Sequence, residues 1–137
     1  MWIIFSLLSA LFGALMTIFI KLGLKGINPI LSLTIRSIIV CLFLLVFIVV
    51  NNSIKEIKAI DKNKWIWLFL TAVVTFATWV FYYLALSKND AYKVASLEKI
   101  SIIIVFILSF FVLNEKITIL GILGMILILV GSIMTSL

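Results

Sequence analysis

Histidine is absent from this chain of 137 residues, cysteine and proline each occur once, and only five residues are acidic. Each shortage excludes something. Without histidine there is no imidazole for metal ligation and no imidazole general base, so hydrolysis inside a membrane would fall to Glu98, Lys99 or a hydroxyl. The lone Cys41 allows neither an intramolecular disulfide framework nor a cysteine-based metal site. No catalytic residues, cofactor or metal are therefore expected, and the chain is not expected to be an enzyme. Charged residues make up 12% of the sequence, against about 25% in a soluble domain. That is too few to cover a water-facing surface.

What remains is apolar. Hydrophobic residues account for 66% of the chain and the mean hydropathy is +1.42, where a soluble domain is about 45–50% apolar. The expected class is an all-α polytopic membrane protein, with residues 1–137 as one domain. A net charge of +6 could suggest nucleic acid. The lysines, however, cluster in short breaks between apolar runs, where they meet lipid headgroups and set topology. Membrane lipid is the expected partner and nucleic acid is not. The start, MWIIFSLLSALFGALMTIFI, has no positive leader region and a longer uncharged run than a secretory signal, so it reads as a retained first span.

A helical span needs about 20 mainly apolar residues. Five stretches qualify, at about 2–22, 29–50, 65–86, 91–113 and 117–135. Gly26, Asn28 and Pro29 mark the first turn, with Pro29 placed to open the second helix. The polar stretch NNSIKEIKAIDKNK (51–64) is the one long loop. Trp65 and Trp67 begin the third span at the expected interface level, and Tyr82 and Tyr83 close it.

The spans also carry packing signals. Ser9, Gly13 and Thr17 form a small-residue row on the first helix, and Gly121, Gly124, Gly131 and Thr135 on the fifth, which lets backbones approach closely. On the third helix Thr71, Thr75, Thr78 and Tyr82 follow a 4-3-4 spacing and share a face. That face reads either as a polar cavity wall, with Trp79 as a stacking surface, or as hydroxyls bonded to another helix or to their own preceding turn.

Five spans put the termini on opposite sides of the membrane. Lys55, Lys58, Lys62, Lys64 and Lys116 fall on the N-terminal side, and Lys21, Lys25, Lys88 and Lys93 on the other. Five against four is a small difference, so the positive-inside rule favours an N-in orientation only slightly. Arg36 lies seven residues after Pro29 and Glu98 seven after Ala91, each about 10 Å inside the same membrane face. Lys93 has Asp90 three residues earlier. Glu98 and Lys99 point about 100° apart, so the expected partner of Glu98 is Arg36, with Ser101 sharing its face. Charges inside a bilayer usually line a protein interior or a watered cavity. Here the expected solute pathway comprises Lys21, Arg36, Glu98, Lys99 and Ser101, with Thr75, Thr78, Trp79 and Tyr82 from the third helix. Its net positive charge suits a small organic solute bearing an anionic or zwitterionic group. The competing reading of Arg36 and Glu98 is a structural interhelical ion pair.

Taken in order, these residues have a familiar arrangement. Gly13 and Lys21 end the first helix, Pro29 and Arg36 mark the second, and the third closes with Tyr82–Leu86 (YYLAL). The run VASLEKISIIIVFILSFFVLNEKIT carries an acidic–Lys–hydrophobic–Ser step at Glu98–Ser101 and a closing acidic–basic pair at Glu115–Lys116. The chain resembles a single EamA-type repeat of the drug/metabolite transporter superfamily, in particular its short five-helix bacterial and archaeal members. One departure is Ser96, which stands where these relatives commonly have proline, leaving the usual kink of the fourth helix open. The resemblance implies a multi-pass protein of the inner or plasma membrane that transports small organic metabolites or drugs, often outward. It also implies that one repeat is half of an inverted-repeat plan, so the partner is an antiparallel second copy or a homologous five-helix chain. The alternative is a non-transporting membrane subunit that scaffolds such a partner.

Overall fold

The computed structural model describes residues 1–137, except for the side chains of residues 58 and 59; Lys58, one of the lysines counted for topology, therefore lies outside the described side chains. The helices are α1 (Trp2–Gly23), α2 (Pro29–Val50), α3 (Lys62–Lys88), α4 (Ala91–Glu98), α5 (Ser101–Val112) and α6 (Ile119–Ser136), with a 3₁₀ helix at Ser53–Ala59 between α2 and α3. Among the described residues, five segments are long and apolar enough to cross a membrane, α4 and α5 together forming the fourth, Ala91–Val112. The chain is a five-span helical membrane protein. Large apolar side chains such as Phe12, Phe47, Phe69 and Leu127 stand exposed along the spans. In water this would be untenable, whereas lipid is as apolar as they are.

Local chemistry explains the helix ends. Asn28 caps α2, its Oδ1 accepting the Ile30 N–H at 2.9 Å, and Pro29 follows as first helical residue, where its missing N–H costs nothing. Gly26 supplies a φ of +75° in the preceding turn, a conformation that L side chains rarely adopt. Asn114 takes φ +53° after α5, so the chain doubles back and the Glu115 N–H reaches the Ser109 carbonyl at 3.2 Å. Thr118 then caps α6 by accepting the Gly121 N–H at 3.1 Å. This is why the last helix begins at Ile119 rather than 117. At both ends α3 runs past its apolar stretch, to Lys62 and Lys88, a residue type whose long apolar stem suits the end of a span and whose charge suits water.

The fourth span is not one continuous helix. At Lys99 and Ile100 the backbone tightens: the N–H groups of Lys99, Ile100, Ile102 and Ile103 bond to carbonyls three residues back, at 3.0–3.1 Å. That is 3₁₀ geometry. Neither proline nor glycine occurs between residues 91 and 112, so the interruption arises without either helix breaker.

Backbone contacts divide the chain into two units, Met1–Phe19 with Lys88–Leu137, and Ile20–Ser87. In the first, α4 and α6 pack most closely. Val94 of α4 and Ser132 of α6 are buried there, and Lys93 donates to the Leu137 carbonyl at 3.3 Å. Gly121 and Gly124 lie on the half-buried face of α6, whereas Gly131 and Thr135 are exposed. In the second unit Leu33, Tyr83 and Leu86 are the most buried side chains.

Candidate intramembrane charge site

Within the 20–87 unit the site is built around Arg36. Pro29, Leu33, Arg36 and Val40 recur at helical spacing and so share one face of α2. Leu33 is 4% exposed, which identifies that face as the packed one. Arg36 is half-buried on it. Its guanidinium carbon lies 4.7 Å from the centroid of the Trp79 ring on α3. A planar cation over an indole face is held by the ring quadrupole, worth about 0.5–2 kcal/mol depending on desolvation. Tyr83 stands one helical turn beyond Trp79, is only 2% exposed, and its phenolic oxygen accepts a hydrogen bond from Arg36. Tyr83 was not among the residues expected from sequence. Its spacing of four from Trp79 was the available signal.

Lys21 is tied to another helix. Its Nζ donates to the Leu86 carbonyl at 2.7 Å, sixty-five residues away in the chain. Leu86 is fully buried and sits in the last turn of α3, where carbonyls lack an intrahelical N–H partner. A cation there satisfies an orphan acceptor and the negative end of the helix dipole together. Lys21 thereby joins the end of α1 to the end of α3.

The threonine face of α3 divides by residue. Thr71 and Thr78 donate to the Trp67 and Val74 carbonyls at 2.8 and 2.9 Å, each to its own preceding turn. Thr75 and Tyr82 are half-buried and Thr78 is exposed. Thr71, Thr75, Thr78 and Trp79 nonetheless line an open groove of about 470 Å³ on this face. A second groove, of about 350 Å³, runs between α2 and α3 past Leu33, Ser37, Cys41 and Phe76, with Trp79 again in its wall.

Glu98, Lys99 and Ser101 belong to the other unit and are brought together at the interruption between α4 and α5. All three are exposed on the surface of the chain. Glu98 ends α4, seven residues into the fourth span, about 10 Å from its start. Two adjacent charges thus stand at bilayer depth, at a point where the helix is broken.

Five membrane-spanning helices, one of them interrupted beside a pair of charges, define a polytopic membrane protein with ionisable groups inside the bilayer. All of residues 1–137 match the model of the EamA-like transporter family, and the chain belongs to that family. It is similar to a protein of Sinorhizobium sp. named "Uncharacterized transporter in cobO 3'region", 31% identical over 135 residues that cover 98% of this chain and 96% of the relative. No solved structure matches.

Proposed function

We propose that this protein is a secondary transporter of small organic solutes in the inner or plasma membrane. It exports them as an antiparallel pair of five-helix repeats, with a second copy or a homologous chain as partner. The observation that carries the proposal is the exposure of Glu98 and Lys99 on the chain's own surface about 10 Å inside a membrane span. Facing lipid, each charge would cost about 2.5–3.5 kcal/mol at mid-membrane on insertion-based scales. A partner repeat enclosing a watered cavity removes that cost and leaves both charges available to a solute. Family membership supports the transport function, as does the name of the Sinorhizobium relative.

Arg36, Glu98 and Lys99 form the solute-binding charges of this reading, and Ser101, Thr75, Thr78, Trp79 and Tyr82 line the pathway. Their net positive charge selects an anionic or zwitterionic solute. Lys21, held on the Leu86 carbonyl, positions the helix ends. That same bond favours one narrower alternative, a scaffold subunit in which the charges serve helix pairing alone. Two measurements separate them. Ligand binding to the folded state raises apparent stability, so thermal-shift screening of the purified protein against amino acids, organic acids and cations identifies a solute. Proteoliposome flux of that solute, carried by wild type and abolished in Glu98→Gln, supports transport. A protein that neither binds nor moves any of them is the scaffold.

A further inference from the structure

A third groove lies where α5 turns into α6; it begins at Ile102, just after the Glu98–Ser101 step, and ends at Glu115 and Lys116. It has a volume of about 380 Å³ and lies wholly within the unit that contains both helices. Its inner wall is apolar, from Ile102, Val105, Phe106 and Met125, and Glu115 and Lys116 stand at its other end. Ile102 precedes the end of α5 at Val112 by ten residues, which is about 15 Å of helix. That equals one leaflet, half of a hydrocarbon layer about 30 Å thick. The groove therefore runs from the membrane face to about mid-bilayer, with apolar walls inside and one charge of each sign at the headgroup level.

From this geometry we infer that the α5–α6 groove is a phospholipid site, selective for a headgroup with a primary ammonium beside its phosphate, as in phosphatidylethanolamine. An acyl chain lies along Val105 and Phe106, the phosphate meets the Lys116 ammonium, and the headgroup amine donates to the Glu115 carboxylate. The chemistry discriminates among lipids. A phosphatidylglycerol headgroup brings no cation for Glu115 and sets a phosphate near its negative charge. A phosphatidylcholine headgroup has a cation but no N–H to donate. The Asn114 turn holds the pair in place, because the Glu115 N–H is anchored on the Ser109 carbonyl.

The test uses the full chain purified in detergent and supplemented with each of the three lipids, followed by thermal unfolding and native mass spectrometry. Phosphatidylethanolamine is expected to raise the unfolding temperature and to be retained about two- to fivefold more than the other two, the discrimination available to a solvent-facing ion pair. In Glu115→Gln that preference over phosphatidylglycerol should vanish while the protein stays folded. Val105→Trp, at a position 61% exposed and so free of packing cost, should fill the inner groove and lower retention of all three lipids. Equal stabilisation of the wild type by all three, or an ethanolamine preference that survives in Glu115→Gln, overturns the assignment. Neither result depends on whether the protein transports anything.

Discussion

The Arg36 guanidinium lies over the face of Trp79, with 4.7 Å between its central carbon and the ring centroid, and hydrogen-bonds to Tyr83 one turn further along α3. The cation is therefore oriented before any solute arrives. Trp79→Leu removes the ring face, and the expected loss of stability is about 0.5–2 kcal/mol from the cation–π contact, with a further loss from packing. Arg36→Lys should not substitute, since an ammonium cannot stack and hydrogen-bond in the same plane. Thermal unfolding of both variants checks this. Wild-type stability in Arg36→Lys would show that the planar arrangement contributes nothing.

Lys21→Met should destabilise the protein by about 1–3 kcal/mol, because it deletes a charge-assisted bond and leaves the buried Leu86 carbonyl without its donor. Unfolding in detergent reads the loss. If Lys21 instead served the solute directly, Lys21→Met would keep its stability and lose flux.

The threonine face makes a graded prediction. Thr71 and Thr78 return their donors to their own helix, so Thr78→Val should change stability by less than about 1 kcal/mol and lower flux less than the same change at Thr75. Thr75 is half-buried between them and faces the same groove. Flux through Thr75→Val should fall severalfold if that groove conducts solute. Indifference to both substitutions would make the face ordinary helix surface.

Much of the fold was legible because a membrane span declares itself in about 20 apolar residues, and five such runs leave little freedom in element order. Ends were legible where a side chain fixes them, as at Asn28 and Pro29. The interruption at Lys99–Ile100 was not, since no proline or glycine marks it and the change from four-residue to three-residue bonding leaves no compositional trace. Depth along a helix can be counted from sequence; rotation and reach across to another helix cannot. Counting alone placed Arg36 level with Glu98, but not that its guanidinium would meet Trp79 and Tyr83. In the same way Lys21 was placed at the membrane face, and its bond to a carbonyl on α3 was invisible. Arg36 and Glu98 belong to different contact units, and the pair expected from sequence remains a proposal.

Charge on the two membrane faces predicts how the chain inserts. With nearly balanced lysines, changing one or two should redistribute orientation. Reporters fused to the C-terminus should give signal from both sides in the wild type, shifted toward one side by Lys55→Ala with Lys62→Ala. A single-sided signal unmoved by those changes would favour a homologous partner over a second copy.

The central claim is that an inverted partner covers the Glu98–Lys99 interruption, and cross-linking between copies tests it most directly. Ser101 is ten residues into the fourth span, about 15 Å deep and so near mid-bilayer. Inversion therefore leaves two copies of this position at one level. Tyr92 is at the start of the span, and inversion separates its two copies by most of the membrane. In a Cys41→Ser background, Ser101→Cys should give covalent dimers in native membranes with a short bifunctional thiol reagent, and Tyr92→Cys should give none. Efficient linkage at Tyr92→Cys, or none at Ser101→Cys, would contradict the inverted pair.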